Sequence, residues 1–157
     1  MDLWNGTVRA RTTTEEFATD SFQNLLFSIC RFREVTGIYP KKVSVVSYTF
    51  KQYRFQEMHA SAIIWPPDQF EYIGVDPEES TGFNLAIATD GELKNAAVPF
   101  ETDPYGCHSD ALVKKRMQRN PFMRTPPYEL TCSEMKNILT WCGPKIYNME
   151  DLPWQKI

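Results

Sequence analysis

Glycine is scarce in this chain, with 7 residues in 157. No Walker loop, GxGxxG turn or nucleophile elbow occurs, which argues against a phosphate cradle built from backbone N–H groups and against the common hydrolase signatures. No apolar run approaches the roughly 18–20 residues that span a bilayer. The N-terminal MDLWNGTVRAR also lacks the apolar centre of a signal peptide. These absences point to a cytoplasmic protein with no membrane partner. Neither sign of charge dominates: 17 basic and 20 acidic side chains leave −3, which favours no nucleic-acid partner for the chain as a whole. The spacing of Cys107-His108 and of Cys132 with Cys142 matches no zinc pattern, so no metal is expected. Without an export signal, Cys30, Cys107, Cys132 and Cys142 are expected to be thiols, with Cys30 and Cys142 on apolar helix positions. Asn5-Gly6-Thr7 is a formal glycosylation sequon without meaning in a cytosolic chain. There is no internal repeat and no low-complexity segment.

What is present is ordinary globular material, 42% hydrophobic and 24% charged, enough for one domain with its own core. Residues 7–12 read as a short strand. Asp20 with Gln23 is a capping-box variant, opening a helix through Phe22, Leu25, Leu26, Ile29 and Cys30 that Gly37 stops. Lys42–Ser47 (KVSVVS) is a strand. Thr49 with Gln52 suggests a second capping box, leading a helix whose buried face is Phe55, Met58, Ala62 and Trp65 before Pro66-Pro67. Gln69–Val75 is a third strand. The order β-α-β-α-β predicts an α/β fold with a parallel sheet and right-handed crossovers. Residues 83–98 are expected to be helical, then a basic helix at 109–119. Thr131 and Glu134 suggest a third capping box, before a helix carrying Met135, Ile138, Leu139 and Cys142. The tail has Tyr147, Leu152 and Trp154 to dock with. This divides the chain into an α/β core at 7–98 and a helical and loop extension at 99–157 packed upon it.

Open parallel sheets bind ligands beyond the carboxyl ends of their strands, beside helix N-termini. Three turns lie there: Thr12 to Ser21 with Glu15 and Glu16, Ser47 to Arg54 with Lys51, and Gly74 to Asp76. Lys51 and Arg54 beside a helix start favour an anion such as phosphate or carboxylate. Each residue also has a plainer role. Asp20 and Thr49 serve as caps, and Lys51 and Arg54 fit the wet face of an amphipathic helix. Glu15 and Glu16 fit a solvated pair, of which one at most faces a site. His59 is expected at the surface or half-buried. Lys114, Lys115, Arg116, Arg119 and Arg124 form the one basic cluster; it reads as a solvated face before an RNA or acidic-partner contact.

The segments EEFATDSFQNLLFSICRFREVTG and KKVSVVSYTFKQYRFQEMHASA resemble the C-terminal half of the YdcF/SanA/ElyC-like domain-of-unknown-function family, in its cytosolic fungal-type branch. The family's Asn-Thr-x-Glu-Asn helix start meets Asp20-Ser21-Phe22-Gln23-Asn24, where Asn24 is identical. Its strand end with His-x-x-Arg meets Val45-Val46-Ser47 and Lys51-x-x-Arg54, where lysine replaces histidine. DPYGCHSDALVKKRMQRNPF and PPYELTCSEMKNILTWCGP resemble the fungal-type extension. The resemblance implies a Rossmann-like fold and an adenosyl-type or other anionic small ligand, lined by Glu16, Asn24, Ser47, Lys51 and Arg54. Lys51 and Arg54 would hold the anion, and Glu16 would make the polar or metal contact. It assigns no catalytic residue. The family's first strand and Gly-rich turn have no counterpart upstream of Thr7. An incomplete sheet with an open edge is therefore expected, open to self-association or a protein partner. The alternative function is a non-catalytic interaction or vestigial domain.

Overall fold

Helix α2, Ser21–Thr36, is the element on which the rest is assembled, and its sequence explains why. Six of its residues, Phe22, Leu25, Leu26, Phe27, Ile29 and Cys30, are buried, a stripe wide enough to pack against several neighbours at once. Asp20 caps it, its Oδ1 accepting Gln23 N at 2.8 Å. Gln23 reaches back to Thr19, accepting from its backbone N at 2.9 Å, so the reciprocal cap forms one residue upstream of the standard box. Gly37 ends the helix at φ 80°, donating its N–H to Arg33 O, a left-handed stop that glycine adopts without strain.

The structure is a computed structural model and describes residues 6–156; Asn5 of the sequon lies outside them. After α1, Gly6–Ala10, and α2 comes β1, Val43–Ser47. A mixed helical segment follows: a 3₁₀ turn at Thr49–Lys51, a wide π-type turn at Arg54–His59, and α3 at Ala60–Ala62. Then come β2, Phe70–Gly74, and α4, Leu85–Glu92, continuing through a second wide turn at Leu93–Ala97 into α5, Val98–Thr102. The chain closes with α6, Asp110–Arg119, α7, Tyr128–Thr131, and α8, Lys136–Leu139, and a 3₁₀ turn at Pro153–Lys156.

This is a mixed α/β fold with two parallel strands, paired from Val43↔Phe70 to Ser47↔Gly74. The three-strand expectation is corrected at residues 7–12, which form α1 and its closing turn. Thr12 Oγ1 donates to Val8 O at 2.7 Å and Thr12 N to Arg9 O at 3.3 Å; with no neighbouring strand among the described residues to pair with, the local helical bonds win. The sheet turns Val43, Val45, Phe70 and Tyr72 toward the core, while Val46 on its other face is 65% exposed and Ile73 43%. Parallel sheets are generally covered on both faces, so this face is unusual.

Two expected caps do not form, and for one reason: a distant partner takes the group the cap would use. Thr49 N donates to Asp76 Oδ1 at 2.9 Å, and Tyr48 precedes the turn without a side-chain cap. Thr131 Oγ1 donates to Glu34, while Glu134 pairs with Arg33 at 2.9 Å. Both therefore tie the C-terminal segment to α2. The thiol expectation is corrected at one pair. Cys142 lies beyond α8 and is joined to Cys107 by a disulfide, with Cα atoms 5.7 Å apart. Cys30 and Cys132 are buried thiols, each 3.6 Å from Met135 Sδ.

One apolar cluster runs through both halves of the chain, joining Leu26, Ile29 and Ile63 to Phe100, Leu112, Ile138 and Trp154. The tail docks as its aromatic content predicts. Trp154 Nε1 donates to Ile63 O at 3.0 Å, and Tyr105 OH bridges Ala62 O at 2.8 Å and Tyr147 N at 2.7 Å. Buried indole and phenol groups need such partners. No described helix is long and apolar enough to cross a membrane.

Candidate functional site

The carboxyl end of β1 opens onto a cavity of about 510 Å³. One wall is the start of α2 (Asp20, Ser21, Asn24), another is Ser47 with Phe50, Lys51 and Arg54. A third comes from the α4 region (Ala88, Gly91, Glu92, Asn95), and α6 closes the rim with Lys115 and Arg119. Strand direction explains the place: a parallel strand ends where the next segment turns away, leaving a crevice beside the neighbouring helix N-terminus.

Arg54 sits at the base and is buried, contrary to the solvated helix face that its spacing suggests. The wide turn at Arg54–His59 rotates it inward beside Phe55 and His59, which are also buried. Its Nη1 donates to Ser21 Oγ, and its Nη2 donates to Glu92 Oε2 at 2.9 Å. Nε lies 2.5 Å from Glu92 Oε1, close as an ion pair but out of line for a hydrogen bond. The Arg54 and Glu92 side chains are only 9% and 10% exposed, so solvent screens this pair weakly.

His59 is fully buried, correcting the surface expectation. Three rings meet its edge or face: Phe100 at 4.6 Å, Phe55 at 5.4 Å and Phe22 at 5.9 Å between centroids. Its Nε2 shares a 2.8 Å hydrogen bond with Ser21 Oγ, and its Nδ1 has no partner. Burial, reinforced by Arg54 and Arg116, holds its pKa well below the usual 6.5. The contact has the outline of a serine and its base, but a charged imidazole here would stand beside the Arg54 and Arg116 guanidinium groups, and among the described residues no carboxylate is hydrogen-bonded to its ring. The arrangement suits a neutral histidine that orients Ser21.

The other cations are placed by separate contacts. Lys51 Nζ lies 5.0 Å from the Tyr48 ring centre and 5.7 Å from that of Phe50, with no carboxylate partner among the described residues. Tyr48, Phe50 and Phe83 stack at the mouth, 5.4 Å apart for the first pair and 5.5 Å for Tyr48 with Phe83. Lys115 Nζ donates to Asn95 O at 2.6 Å; burial and the nearby Arg119 and Arg54 pull its pKa below 10.5. Arg119 Nη1 donates to Thr19 O at 2.9 Å. Asp20, the cap, also receives Arg116 Nε at 2.5 Å. Arg116 reaches it by passing over Gly106, at φ 66°, where an added Cβ would lie 2.5 Å from its Nη2.

Of the five residues singled out from the sequence, Asn24, Ser47, Lys51 and Arg54 line this cavity, and Glu16 does not. Glu16 faces outward, accepting from Thr14 Oγ1 at 3.1 Å and lying 3.8 Å from Arg124. Its neighbour Glu15 turns inward to Phe17 N, Ala18 N and Tyr128 OH, so neither carboxylate reaches the cavity. Sequence reasoning did not bring Glu92, Lys115, Arg119 or Phe50 to this place. Lys115 and Arg119 carried a signal, their i,i+4 spacing on one helix face. Glu92 carried none. Among the described residues no group of three or more His, Cys, Asp or Glu side chains is placed to hold a metal ion.

No family model matches the chain, and no solved structure does. The chain is similar to an uncharacterized protein of the yeast Saccharomyces cerevisiae, 39% identical over 147 residues, which are 88% of this chain and 46% of the relative. It thus spans about half the length of the curated relative it matches.

Proposed function

We propose that this protein binds a small anionic ligand, of adenosyl type or another phosphate- or carboxylate-bearing class, in the cavity at the carboxyl end of β1. The carrying observation is the convergence there of Lys51, Arg54, Lys115 and Arg119 on the start of α2, against the two carboxylates of Asp20 and Glu92. The surplus of cations in a partly enclosed space favours an anion, and Phe50 beside Lys51 offers a face for a planar group. The resemblance to the YdcF/SanA/ElyC-like family supports the same location, as does the Rossmann-like geometry proposed for β1, α3 and β2. The proposed setting is the cytoplasm, where the Cys107–Cys142 bond would be exposed to reducing conditions. Thermal-shift screening against adenosyl compounds, nucleotides and sugar phosphates tests the ligand class. A stabilising ligand whose effect is lost in Lys51→Ala, a partly exposed side chain with no ion pair among the described residues, is the expected result. A shift unchanged in that variant removes the assignment.

A second reading is favoured by a different observation. The edge of β1 away from β2 borders a groove of about 380 Å³, lined by Leu25, Ile29 and Phe32 of α2 and by Val43 to Val46. An unpaired strand edge beside apolar side chains suits an added strand, from a protein partner or a second copy. In this reading the domain is an interaction module or a vestige of a ligand-binding one. Light scattering across concentration separates the two, since a strictly monomeric protein leaves self-association without support.

A further inference from the structure

Arg54 is the deepest cation of the cavity, yet both of its Nη groups already donate to protein partners. The edge of the guanidinium formed by Nε and Nη2 faces both oxygens of Glu92, at 2.5 and 2.9 Å. That edge is the one a guanidinium offers to a free carboxylate or phosphate, and Glu92 makes one hydrogen bond on it, from Nη2, with Nε close but out of line. Glu92 is the last residue of α4, and no residue of α4 is buried. Leu85 and Ile87 on α4 and Leu93 just after it are exposed apolar side chains. The cavity side of this segment is formed by Ala88, Gly91, Glu92 and Asn95. Its fixed points are the Phe83 ring stacked on Tyr48 before it, the Arg54–Glu92 pair at its end, and the buried Ala96, Ala97 and Phe100 beyond. A helix that buries no apolar side chain has little packing to hold it down.

We infer that Glu92 is a built-in competitor for the site's anion: a phosphate or carboxylate group of the ligand replaces its carboxylate on Arg54, and α4 is the lid released by that exchange. This rests on the anion-binding reading above. Its substance is a specificity filter. Only a ligand group with two oxygens, able to replace both the Nη2 hydrogen bond and the close Nε contact of Glu92, displaces it, so mono-anions with one accessible oxygen are rejected while phosphate-like groups enter. Ser21, on the remaining face of Arg54 and held by His59, keeps the guanidinium in place during the exchange.

The test is calorimetric titration of inorganic phosphate and of pyrophosphate into the intact protein and two variants. Glu92→Gln keeps the side-chain shape and removes the competing charge; it is expected to bind about tenfold more tightly than wild type, the scale of one charge-assisted hydrogen-bond exchange. Asp90→Asn removes the same charge from the same helix at an exposed residue paired with Lys94, and is expected to leave affinity unchanged. Hydrogen exchange on wild type should show residues 85–92 exchanging faster with pyrophosphate bound. Binding that is unchanged or weaker in Glu92→Gln overturns the competitor role and leaves the site reading intact. Equal tightening in Asp90→Asn reduces the effect to general field strength and also overturns it. Slower or unaltered exchange at 85–92 overturns the lid. If neither anion binds wild type or Glu92→Gln, the anion site itself fails, and the competitor with it.

Discussion

Helices α2 and α4 face each other across the same cavity and are held by opposite means. α2 buries six side chains and is closed at both ends, by Asp20 and by Gly37. α4 is capped by Asn84, whose Oδ1 accepts Ile87 N at 3.0 Å, but it buries no apolar side chain, its well-covered group being the Glu92 carboxylate. The contrast separates scaffold from moving part. Burial of apolar area is non-directional and hard to exchange, whereas a polar pair such as Arg54–Glu92 can be traded for an equivalent ligand contact. A cavity with one wall of each kind can keep its geometry on the α2 side while opening on the other.

The largest effect is expected at the scaffold. Leu26→Ala removes a fully packed side chain from α2, and chemical denaturation should show a loss of about 2–5 kcal/mol. A loss below about 1 kcal/mol would mean that α2 is not the centre of the core. The next effect comes from pH, through the hydrogen bond that fixes Ser21 at the start of α2. His59 is neutral when folded, with its pKa depressed below 6.5, while in the unfolded chain it takes up a proton near that value. The unfolded state therefore binds more protons as pH falls, and the stabilising contribution, fully present above about 6.5, is lost progressively toward the folded-state value. Denaturation midpoints measured from pH 8 to 5 should decline below about 6.5, with a slope of at most about 1.4 kcal/mol per pH unit from this group. His59→Gln should remove that component; a decline that persists unaltered in the variant would place its origin elsewhere. The smallest effect is expected on α4. Ile87 is 71% exposed, so Ile87→Ala should change stability by less than about 0.5 kcal/mol. A cost like that of Leu26→Ala would show α4 to be scaffold after all and would erase the contrast.

Local signals made much of the frame legible. The apolar stripe and caps of α2, the β-branched run of β1, the alternating aromatic and aliphatic side chains of β2, and the aromatic tail are all patterns local to the chain. They locate the cavity too, because a strand end followed by a helix start is a sequence-local feature. What was not legible depends on partners far away in sequence. Arg54 looks like a surface residue by spacing, and the wide turn that buries it is not written in its neighbours. Thr49 and Thr131 look like caps until Asp76 and Glu34 claim their hydrogen-bonding groups. Glu15 and Glu16 look alike in sequence, and only Tyr128 and two backbone amides decide that one turns in and the other out.

By itself the sequence determined the helix α2, the two parallel strands, the docking of the tail and the strand end at which the cavity opens, since each follows from periodicity, propensity and chain direction over a few turns. The tertiary structure alone decided which charges meet there. It brought Glu92 onto Arg54 across 38 positions and His59 onto Ser21 across another 38, and it left Glu16 outside. The physical reason is range. Hydrogen bonds and ion pairs in a cavity are set by how packed elements close in space, and no local pattern encodes which distant side chain will fill the last coordination of a buried guanidinium.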